Sequence, residues 1–380
     1  MKKYIIVFSR HVDNWGAERS TCSLCKGLKD KGYNVLVVIP RVGGIIDLLE
    51  KDSIEYLVYD FPGWLYEGKY HQSFKHICKS RFIEKYRIFS LKHLFHKSCI
   101  KPILVYSNTL TFGFGIKFAK CYNVPHVQHI RENIDAFDYH FRDGYKKSMR
   151  LIDSSAAIMC TCDTIRQRYI NDLSANKFFT VHNGVPPVVN STQIDFNSPK
   201  LQIVQVARFM DDKRVIDSLH AIKILIDRGC EDIHLDLYGK GEEEEMYSKF
   251  ISENNLSNYV EIKGFVKNID FPLYQLGLMT STFEAFSRSV LDYMNNGLAV
   301  IASNTGGNVE QVIDNQTGLL YEVKNPNSLA NAIEKLYKNR DLLKQFGDKS
   351  ILRFLNNFTQ EKYVARTNEV IIKVLNNEQL

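Results

Sequence analysis

The feature of this sequence that most constrains its fold is an alternation of short apolar segments with longer segments of helical periodicity, which runs through both halves of the 380 residues. It begins with an apolar segment at 4–9, a helical pattern over 16–31 and a second apolar segment at 33–40. Strands that alternate with helices form βαβ units, in which the strands are parallel and helices cover both faces of the sheet. The pattern therefore predicts an α/β protein with doubly wound, mostly parallel sheets.

The same alternation predicts the remaining elements and the domains. Further strands are predicted at 103–107, 124–129, 156–160, 178–181, 201–206, 233–237, 260–262, 276–279, 299–302 and 318–321. Helices are predicted near 213–227, 241–254, 288–296 and 326–338 and in the terminal stretch 341–374. The usual domain size is roughly 100 to 150 residues, so we expect two domains. Turn and proline residues at 182–187 predict a first domain over 1–187, a second over 188–360, and a C-terminal helix over 361–380 that could return to the first domain.

Composition excludes several classes of protein. A balance of 44% hydrophobic and 24% charged residues is that of a globular protein rather than a disordered or fibrous one. No stretch reaches the roughly 18 apolar residues of a membrane span, and the apolar run at 5–8 is shorter than the signal-peptide core of about 7 to 15 residues. The eight cysteines include no second pair at zinc-finger spacing. We therefore expect a cytoplasmic protein with reduced cysteines and no metal site.

Positive charge is concentrated in the first half of the chain. Residues 1–190 hold 28 Lys and Arg against 17 Asp and Glu, whereas residues 191–380 hold 21 against 26. Within the first half, residues 69–101 carry nine Lys and Arg and the single acid Glu84, interleaved with aromatic and aliphatic residues. This mixture suits a peripheral contact with an anionic membrane face, and equally a solvated helix that packs by its aromatic side. RNA is a third option, but no recognition motif is present, so we expect no nucleic-acid partner.

The strongest candidate for chemistry is the segment 281–292, followed by the glycine pair of 306–310. A strand is predicted to end near residue 279, and a helix to start near Ser287. Free backbone N–H groups and the helix dipole make such a start an anion site suited to phosphate. Glu284 and Asp292 would flank that site and accept hydrogen bonds from sugar hydroxyls. The alternative is that they are a loop acid and a solvated helix residue.

Two further loops follow predicted strands. Arg208 and Lys213 can converge on one anion, because a forked guanidinium and a point-charge ammonium suit a diphosphate. Lys213 and Arg214 would also fit as solvated surface charges. In the first loop, Gly16 allows a close backbone approach to a ligand, although a simple turn explains it as well. One glycine falls short of a G-x-G-x-x-G fingerprint, which counts against a nicotinamide enzyme.

Taken together, these residues resemble the retaining glycosyltransferases of the GT-B fold, in the large family four of that class. The resemblance is carried by Gly16-Ala17-Glu18-Arg19, His129 after a strand, His182-Asn183-Gly184-Val185, Arg208 with Lys213, Gly239-Lys240-Gly241, and a Glu-x7-Glu motif at Glu284 and Asp292. It implies two Rossmann-like domains that face each other across a cleft, with C-terminal helices packing back. It also implies transfer of a sugar from a nucleotide diphosphate to an acceptor hydroxyl with retention of configuration.

The resemblance assigns a role to each matched position. Arg208 and Lys213 would hold the donor diphosphate, Glu284 the donor sugar and Asp292 the ribose. The other donor-binding candidates that it implies are Phe286 and the backbone amides of Ser287, Arg288 and Ser289. His129 and Gly16 would face the reaction centre from the other domain, which makes His129 a catalytic candidate together with Glu284, Arg208 and Lys213.

Two positions depart from the family pattern: Asp292 stands where the family has a glutamate, and Ser287 stands where a glycine is usual. The expected donor is a UDP- or GDP-sugar, without metal or other cofactor, and the expected acceptor is a glycan or lipid-linked saccharide of a bacterial surface polysaccharide. The protein is then expected in the cytoplasm, and the inner face of the cell membrane is a candidate peripheral site. A sugar-nucleotide epimerase of the same fold and a non-catalytic subunit that binds sugar nucleotides are the alternatives.

Overall fold

A computed structural model shows a chain that folds into two compact units. The residues that the structure describes are 1–13, 16–68, 74–136, 138–188 and 193–376. The first unit comprises Met1–Gly184 and Gln360–Leu380, and the second comprises Val185–Thr359. Among the described residues, no helix has the length and apolar character needed to cross a membrane.

The first unit is built on a seven-stranded parallel sheet. The strands of this unit are β1 (Lys2–Phe8), β2 (Val35–Ile39), β3 (Glu55–Val58), β4 (Leu65–Glu67), β5 (Ile100–Ser107), β6 (His126–Ile130), β7 (Tyr139–Phe141), β8 (Ala157–Cys160) and β9 (Phe178–Thr180). Its α-helices are α1 (Gly16–Asp30), α2 (Ile45–Lys51), α3 (Phe74–Lys97), α4 (Phe114–Tyr122), α5 (Tyr145–Asp153), α6 (Asp163–Tyr169) and α13 (Gln360–Leu375). The sheet order is β3-β2-β1-β5-β6-β8-β9, and β4 pairs with β7 in a separate antiparallel ribbon.

The central strand β1 shows why this sheet is covered on both sides. Its residues from Tyr4 to Phe8 are all buried, as expected for a parallel strand between two layers of helices. On one side lie α1, through buried residues that include Cys22 and Cys25, and the terminal helix α13, through Tyr363 and Ile371. The chain thus returns to the first unit after it leaves the second.

The second unit is a six-stranded parallel sheet with its own core. Its strands are β10 (Leu201–Val206), β11 (Ile233–Tyr238), β12 (Val260–Gly264), β13 (Leu276–Met279), β14 (Ala299–Ser303) and β15 (Gly318–Tyr321). Its α-helices are α7 (Val215–Asp227), α8 (Glu244–Glu253), α9 (Arg288–Asn295), α10 (Asn308–Gln311), α11 (Pro326–Lys338) and α12 (Arg340–Asn357). The sheet order is β12-β11-β10-β13-β14-β15. The predicted doubly wound α/β class is confirmed in both units.

The predicted elements agree best in the second unit. Strands β10, β13 and β15 and helix α11 have the predicted bounds, and most other ends differ by one to three residues. The terminal stretch 341–374, predicted to form terminal helices, forms α12 and α13. The sequence does not predict strand β3. Two of its four residues are exposed and two are half-buried, so this edge strand has only a weak apolar pattern.

The buried His126 on β6 makes the first unit sensitive to acid. Its ring nitrogens lie 2.9 Å from the hydroxyls of Ser107 and Ser155, and the residue is 3% exposed. Burial, with a smaller contribution from Lys120, lowers the pKa of His126 to about 3. The unfolded chain takes up a proton near its ordinary pKa of about 6.5, whereas the folded unit does not. The stability contribution is therefore complete above about pH 6.5 and is lost as the pH falls towards 3.

We expect the free energy of unfolding of the first unit to fall by as much as about 1.4 kcal/mol per pH unit below pH 6.5 on account of His126. Urea unfolding followed by tryptophan fluorescence reports this unit, because Trp15 and Trp64 both belong to it. The variant His126→Asn keeps polar atoms for the two serines but does not titrate, so its pH dependence should be shallower. An identical slope in parent and variant would contradict the assignment.

Candidate functional site

The candidate site of the second unit lies where the strands of its sheet end. Strands β10, β11, β13 and β14 are parallel neighbours, so their carboxyl ends share one edge of the sheet. Ligands of open α/β sheets bind at this edge. The loops that leave it hold the residues that the sequence singled out in this half of the chain.

Lys213 and Glu284, predicted from separate loops, are in direct contact. The Lys213 ammonium donates to Glu284 Oε1 at 2.8 Å, and its Nζ lies 3.1 Å from Asp212 Oδ2. The Ser281 hydroxyl donates to the same Glu284 oxygen at 2.9 Å. The fold therefore joins the loop after β10 to the loop after β13 through a pair of opposite charges.

The surroundings of Lys213 keep it charged. Burial lowers its pKa, but the carboxylates of Glu284 and Asp212 raise it by more, so the net pKa is above the ordinary value. An ammonium carries three donors, and these two carboxylates engage two of them. The third donor can bind an oxygen atom of a ligand.

Hydrogen bonds fix the two loops to each other. The Thr282 amide donates to the Asp212 carbonyl at 2.8 Å, and the Thr280 hydroxyl donates to the Lys213 carbonyl at 2.7 Å. Buried Gln205 in turn donates to the Thr280 hydroxyl at 2.6 Å. Because the bonds hold the backbone on either side of the ion pair, the geometry of Lys213 and Glu284 is set before any ligand binds. Sequence reasoning missed Thr280 and Gln205, since buried hydroxyl and amide residues have no distinctive local pattern.

The glycine pair after β14 brings a third loop against Glu284. The Gly307 amide donates to the Glu284 carbonyl at 2.7 Å. A Cβ atom on Gly307 would lie 1.9 Å from the carbonyl oxygen of Ala285, and Gly306 has a φ of +54°. Only glycine allows so close an approach, so the pair supports the backbone of the Glu284 loop.

The start of α9 differs from the expectation for Ser287. The Ser287 amide, predicted to line a phosphate, instead donates to Gln311 Oε1 at 2.8 Å, and Gln311 Nε2 donates back to the Ser287 carbonyl at 2.7 Å. The Ser287 hydroxyl accepts from the Val290 amide at 3.3 Å and caps the helix. Ser287 thus stabilises the start of α9. Of the three backbone amides predicted to bind phosphate, those of Arg288 and Ser289 remain candidates.

The other residues near α9 have distinct environments. The Phe286 ring, predicted to bind the donor, is buried and packs edge-on against Phe358 at 5.3 Å between ring centroids. The Ser289 hydroxyl donates to the Val206 carbonyl at 2.9 Å and so joins α9 to the end of β10. Asp292 is half-buried in the second turn of α9, and Arg288 is half-buried at its first residue. The packing of Phe286 leaves its backbone, rather than its ring, at the loop.

Arg208 lies in the first residues after β10, beside the glycine loop that follows β11. It is exposed, and the amide of its neighbour Phe209 donates to the Lys240 carbonyl at 3.0 Å. The Gly239 backbone passes so close that a Cβ there would lie 1.8 Å from the Ala207 carbonyl. Lys240 lies 5.5 Å from the ring centroid of Phe265, which is 61% exposed. The sequence did not single out Phe265, an exposed ring at the same edge of the sheet.

In the first unit, His129 is wholly buried at the end of β6. Its Nδ1 lies 2.5 Å from the Tyr106 hydroxyl and accepts from Arg131 Nη2 at 3.3 Å. Burial, and then the charge of Arg131, lowers its pKa well below the ordinary value, so the ring is neutral. A guanidinium can only donate, which places the ring proton on Nε2. That Nε2 has no hydrogen-bond partner among the residues that the structure describes.

Arg131 explains how His129 is held. Its guanidinium donates to Asn108 at 3.0 Å, to Asn183 Oδ1 at 2.6 Å and to the Tyr363 hydroxyl at 3.1 Å. These bonds join β6 to the segment that leaves the first unit and to the helix α13 that re-enters it. These long-range partners cannot be read from the local sequence around Arg131.

Gly16 occupies the first position of α1. It is exposed, and its carbonyl accepts from the Ser20 hydroxyl at 2.9 Å. Residues 14 and 15 of the same loop lie outside the described residues. The structure therefore leaves the predicted role of Gly16 as a prediction.

A group of possible metal ligands lies elsewhere in the second unit. Among the described residues, His234, Asp236 and Glu261 bring ligand atoms within 4.8 Å of one another. Lys263 Nζ lies 2.5 Å from Glu261 and 3.8 Å from Asp236. The lysine ammonium already supplies the positive charge in this cluster, which favours an ion-pair network over a metal site.

Comparison with known proteins agrees with this architecture. The model of Glycosyltransferase Family 4 matches residues 16–188, and the model of Glycosyl transferases group 1 matches residues 190–353. Solved structures with the same fold include HepE of Anabaena in complex with UDP, with a TM-score of 0.80, 17% identity and coverage of 98% of this chain and 100% of that one. TarM has a TM-score of 0.73 at 15% identity, with 97% and 98% covered. Fold and family matches define a GT-B protein, and the chain belongs to the GT-B glycosyltransferases.

Curated relatives include two enzymes named for transfer to poly(ribitol-phosphate) and poly(glycerol-phosphate). A poly(ribitol-phosphate) alpha-N-acetylglucosaminyltransferase of Staphylococcus aureus (strain COL) is 26% identical over 262 residues, 67% of this chain and 51% of the relative. A poly(glycerol-phosphate) alpha-glucosyltransferase of Bacillus subtilis (strain 168) is 27% identical over 190 residues, 49% of this chain and 28% of the relative. The matched region is thus about half of the first relative and less than a third of the second.

Proposed function

We propose that this protein transfers a sugar from a nucleoside diphosphate sugar to an acceptor hydroxyl, with retention of anomeric configuration, in the synthesis of a bacterial surface polysaccharide. The observation that carries the proposal is the preorganised contact between Lys213 and Glu284 at the carboxyl edge of the second sheet. This contact places a cation that can bind phosphate beside a carboxylate that can accept hydrogen bonds from sugar hydroxyls. Because the chain belongs to the GT-B glycosyltransferases, glycosyl transfer is the reaction for which we propose this pair of side chains.

The proposed roles follow from where charge develops during transfer. Breaking the bond between the sugar and the diphosphate leaves negative charge on the departing oxygen. Lys213 and Arg208 would stabilise that charge, together with the amides at the start of α9. Glu284 would accept hydrogen bonds from the donor sugar and Asp292 from the ribose. Phe265 offers an exposed ring for the nucleobase.

Retention requires that the acceptor hydroxyl attack from the face that the diphosphate leaves. In this proposal an oxygen of the leaving diphosphate takes the acceptor proton, so no separate protein base is needed. The protein then positions the reactants and stabilises charge. His129 stays a candidate for the reaction centre in this proposal, because its ring is kept neutral by burial and its Nε2–H has no hydrogen-bond partner among the described residues.

The names of the similar proteins support the substrate classes. HepE was solved with UDP and with UDP-glucose, and the curated relatives are named for alpha-linked products on polyol phosphate polymers. A UDP-linked hexose is the first donor to test, and a polyol phosphate or another cell-surface glycan is the first acceptor. An alpha-linked product from an alpha-linked donor would mean retention.

Thermal stabilisation by UDP-, GDP- and ADP-sugars tests donor binding directly. A ligand at 100 times its dissociation constant should add about 2.7 kcal/mol to the stability of the unit that binds it. The best donor is then incubated with acceptor, and the anomeric configuration of the product is read by proton NMR. We expect one nucleotide series to stabilise the protein and an alpha-linked product to form.

The other outcomes are distinguishable. Stabilisation without transfer to any acceptor would favour a non-catalytic subunit, and a change in the donor sugar without an acceptor would favour an epimerase. An inverted product would contradict retention. Failure of all three nucleotide series to bind would overturn the proposed function.

A further inference from the structure

The outer side of α3 carries a row of exposed aromatic rings. Phe82, Tyr86 and Phe89 are 72%, 62% and 71% exposed. Their spacing of four and three residues places them on one side of the helix. Single exposed apolar residues are ordinary, whereas a contiguous apolar row marks a contact surface. We call these three residues the aromatic stripe.

The opposite side of α3, and not the aromatic stripe, packs against the rest of the first unit. Leu91 and Phe95 are fully buried against the first sheet. Glu84 is also buried, and it accepts from Lys117 at 2.6 Å and from Arg142 at 2.7 Å. Apolar packing and buried ion pairs therefore fix the orientation of the helix, and the aromatic stripe is directed away from the unit.

Positive charge surrounds the aromatic stripe. Helix α3 contains seven Lys and Arg and one acid, the buried Glu84. Lys75, Lys79 and Lys85 are exposed, and the described residues include no acidic partner within ion-pair distance of them. The two arginines that flank the stripe are paired, Arg81 with Asp143 and Arg87 with Asp60, so the three lysines supply the uncompensated positive charge of this side among the described residues. Residues 69–73 of the basic segment lie outside the described residues.

We propose that the aromatic stripe and its lysines dock on an anionic lipid bilayer. Rings at one side of a helix bury in the boundary between headgroups and acyl chains, and lysines beside them pair with anionic headgroups. A soluble polyanion would satisfy the lysines but leave Phe82 and Phe89 in water. A second copy of the chain would oppose two positive surfaces, which is unfavourable. The proposal does not depend on the transferase reaction.

Binding to vesicles tests the proposal with the full chain. Co-sedimentation is measured with vesicles of phosphatidylcholine alone and with vesicles of phosphatidylcholine and phosphatidylglycerol in equal parts. We expect binding to the anionic vesicles only, and weaker binding as salt rises, because headgroup attraction is screened over a Debye length of about 8 to 10 Å. Equal recovery on both vesicle types, or no binding to either, would overturn the proposal.

Two variants separate the contributions of charge and rings. Each lysine near the surface contributes about fivefold in affinity, so Lys79→Glu with Lys85→Glu should weaken binding at least about 20-fold. Phe82→Ser with Phe89→Ser should weaken it at least about tenfold, because the rings no longer enter the boundary. The matched controls are Lys249→Glu with Lys349→Glu and the single change Leu352→Ser, all at exposed positions on helices of the second unit, and they should bind like the parent.

A ring probe distinguishes lipid from the other occupants. In the variant Phe89→Trp, anionic vesicles should shift the tryptophan emission to shorter wavelength, and brominated lipid should quench it. Binding that survives loss of the rings and is abolished by soluble polyphosphate would show a polyanion site and overturn the proposal. A concentration-dependent dimer that Phe82→Ser with Phe89→Ser abolishes would do the same in favour of a second copy.

Discussion

Replacing Lys213 with alanine should lower kcat/KM for the nucleotide-sugar donor by about 100- to 1,000-fold, the usual loss when one donor to a developing negative charge is removed. Lys213 is held by Glu284 and Asp212, and their carboxylates keep it protonated. The variant removes the cation and leaves two carboxylates facing the proposed position of the diphosphate. Donor affinity and turnover should therefore both fall. Steady-state kinetics with the donor found by thermal stabilisation measures the effect.

The controls separate this role from structural damage. Lys223, on the same unit, forms an exposed ion pair with Asp227 at 2.7 Å, and such pairs contribute at most about 1 kcal/mol. Lys223→Ala should leave kcat/KM unchanged. Urea unfolding shows whether Lys213→Ala remains folded, and Lys213→Arg keeps the charge if stability is a concern. A folded Lys213→Ala protein with parental kcat/KM would remove Lys213 from the mechanism.

Strands and helices could be predicted from sequence because their signals are local. In the second unit, each strand is an apolar run bounded by turn residues, and the chain order of strands and loops placed Arg208, Lys213 and Glu284 after strands. Parallel topology then brings those loops to one edge. That part of the site follows from pattern and connectivity alone.

The partners of individual side chains could not be predicted in the same way. Gln311 holds the backbone of Ser287 from 24 residues further along the chain, and Phe286 packs against Phe358. Neither contact leaves a trace in local periodicity. The hydrogen bonds that Arg131 and Tyr106 form with the His129 ring are likewise absent from the local pattern. Such environments depend on tertiary packing, which a strand pattern does not encode.

Helix α3 shows a further limit. Its sequence contains two apolar rows, one with Leu91 and Phe95 and another with Phe82 and Phe89, so periodicity alone does not say which row is buried. The contacts of Glu84 with Lys117 and Arg142 decide the matter, because an acid inside the unit requires cations beside it. Composition predicted a basic and aromatic segment, and only the fold divides it into an inner and an outer side.

Changing Glu284 to glutamine should lower turnover about 100-fold or more while UDP binds nearly as well as to the parent. Glutamine keeps the size of the side chain but removes the charge that would bind the donor sugar, and UDP has no sugar at that position. Glu284 also helps to raise the pKa of Lys213 against the opposing effect of burial. Without that carboxylate the Lys213 pKa should fall, so the variant should lose activity at a lower pH on the alkaline side than the parent.

Asp292→Asn, compared with Glu284→Gln, tests which acid binds the ribose and which binds the donor sugar. If Asp292 binds the ribose, its loss should weaken UDP itself and leave the alkaline limb of the pH profile unchanged, because Glu284 still pairs with Lys213. Calorimetry with UDP and pH profiles of kcat for both variants make the comparison. The same loss of UDP affinity in both variants would mean that the two acids are not divided between sugar and ribose. Parental transfer by both would mean that neither acid contacts the donor, and the pairing of Glu284 with Lys213 would then serve only to stabilise the loops.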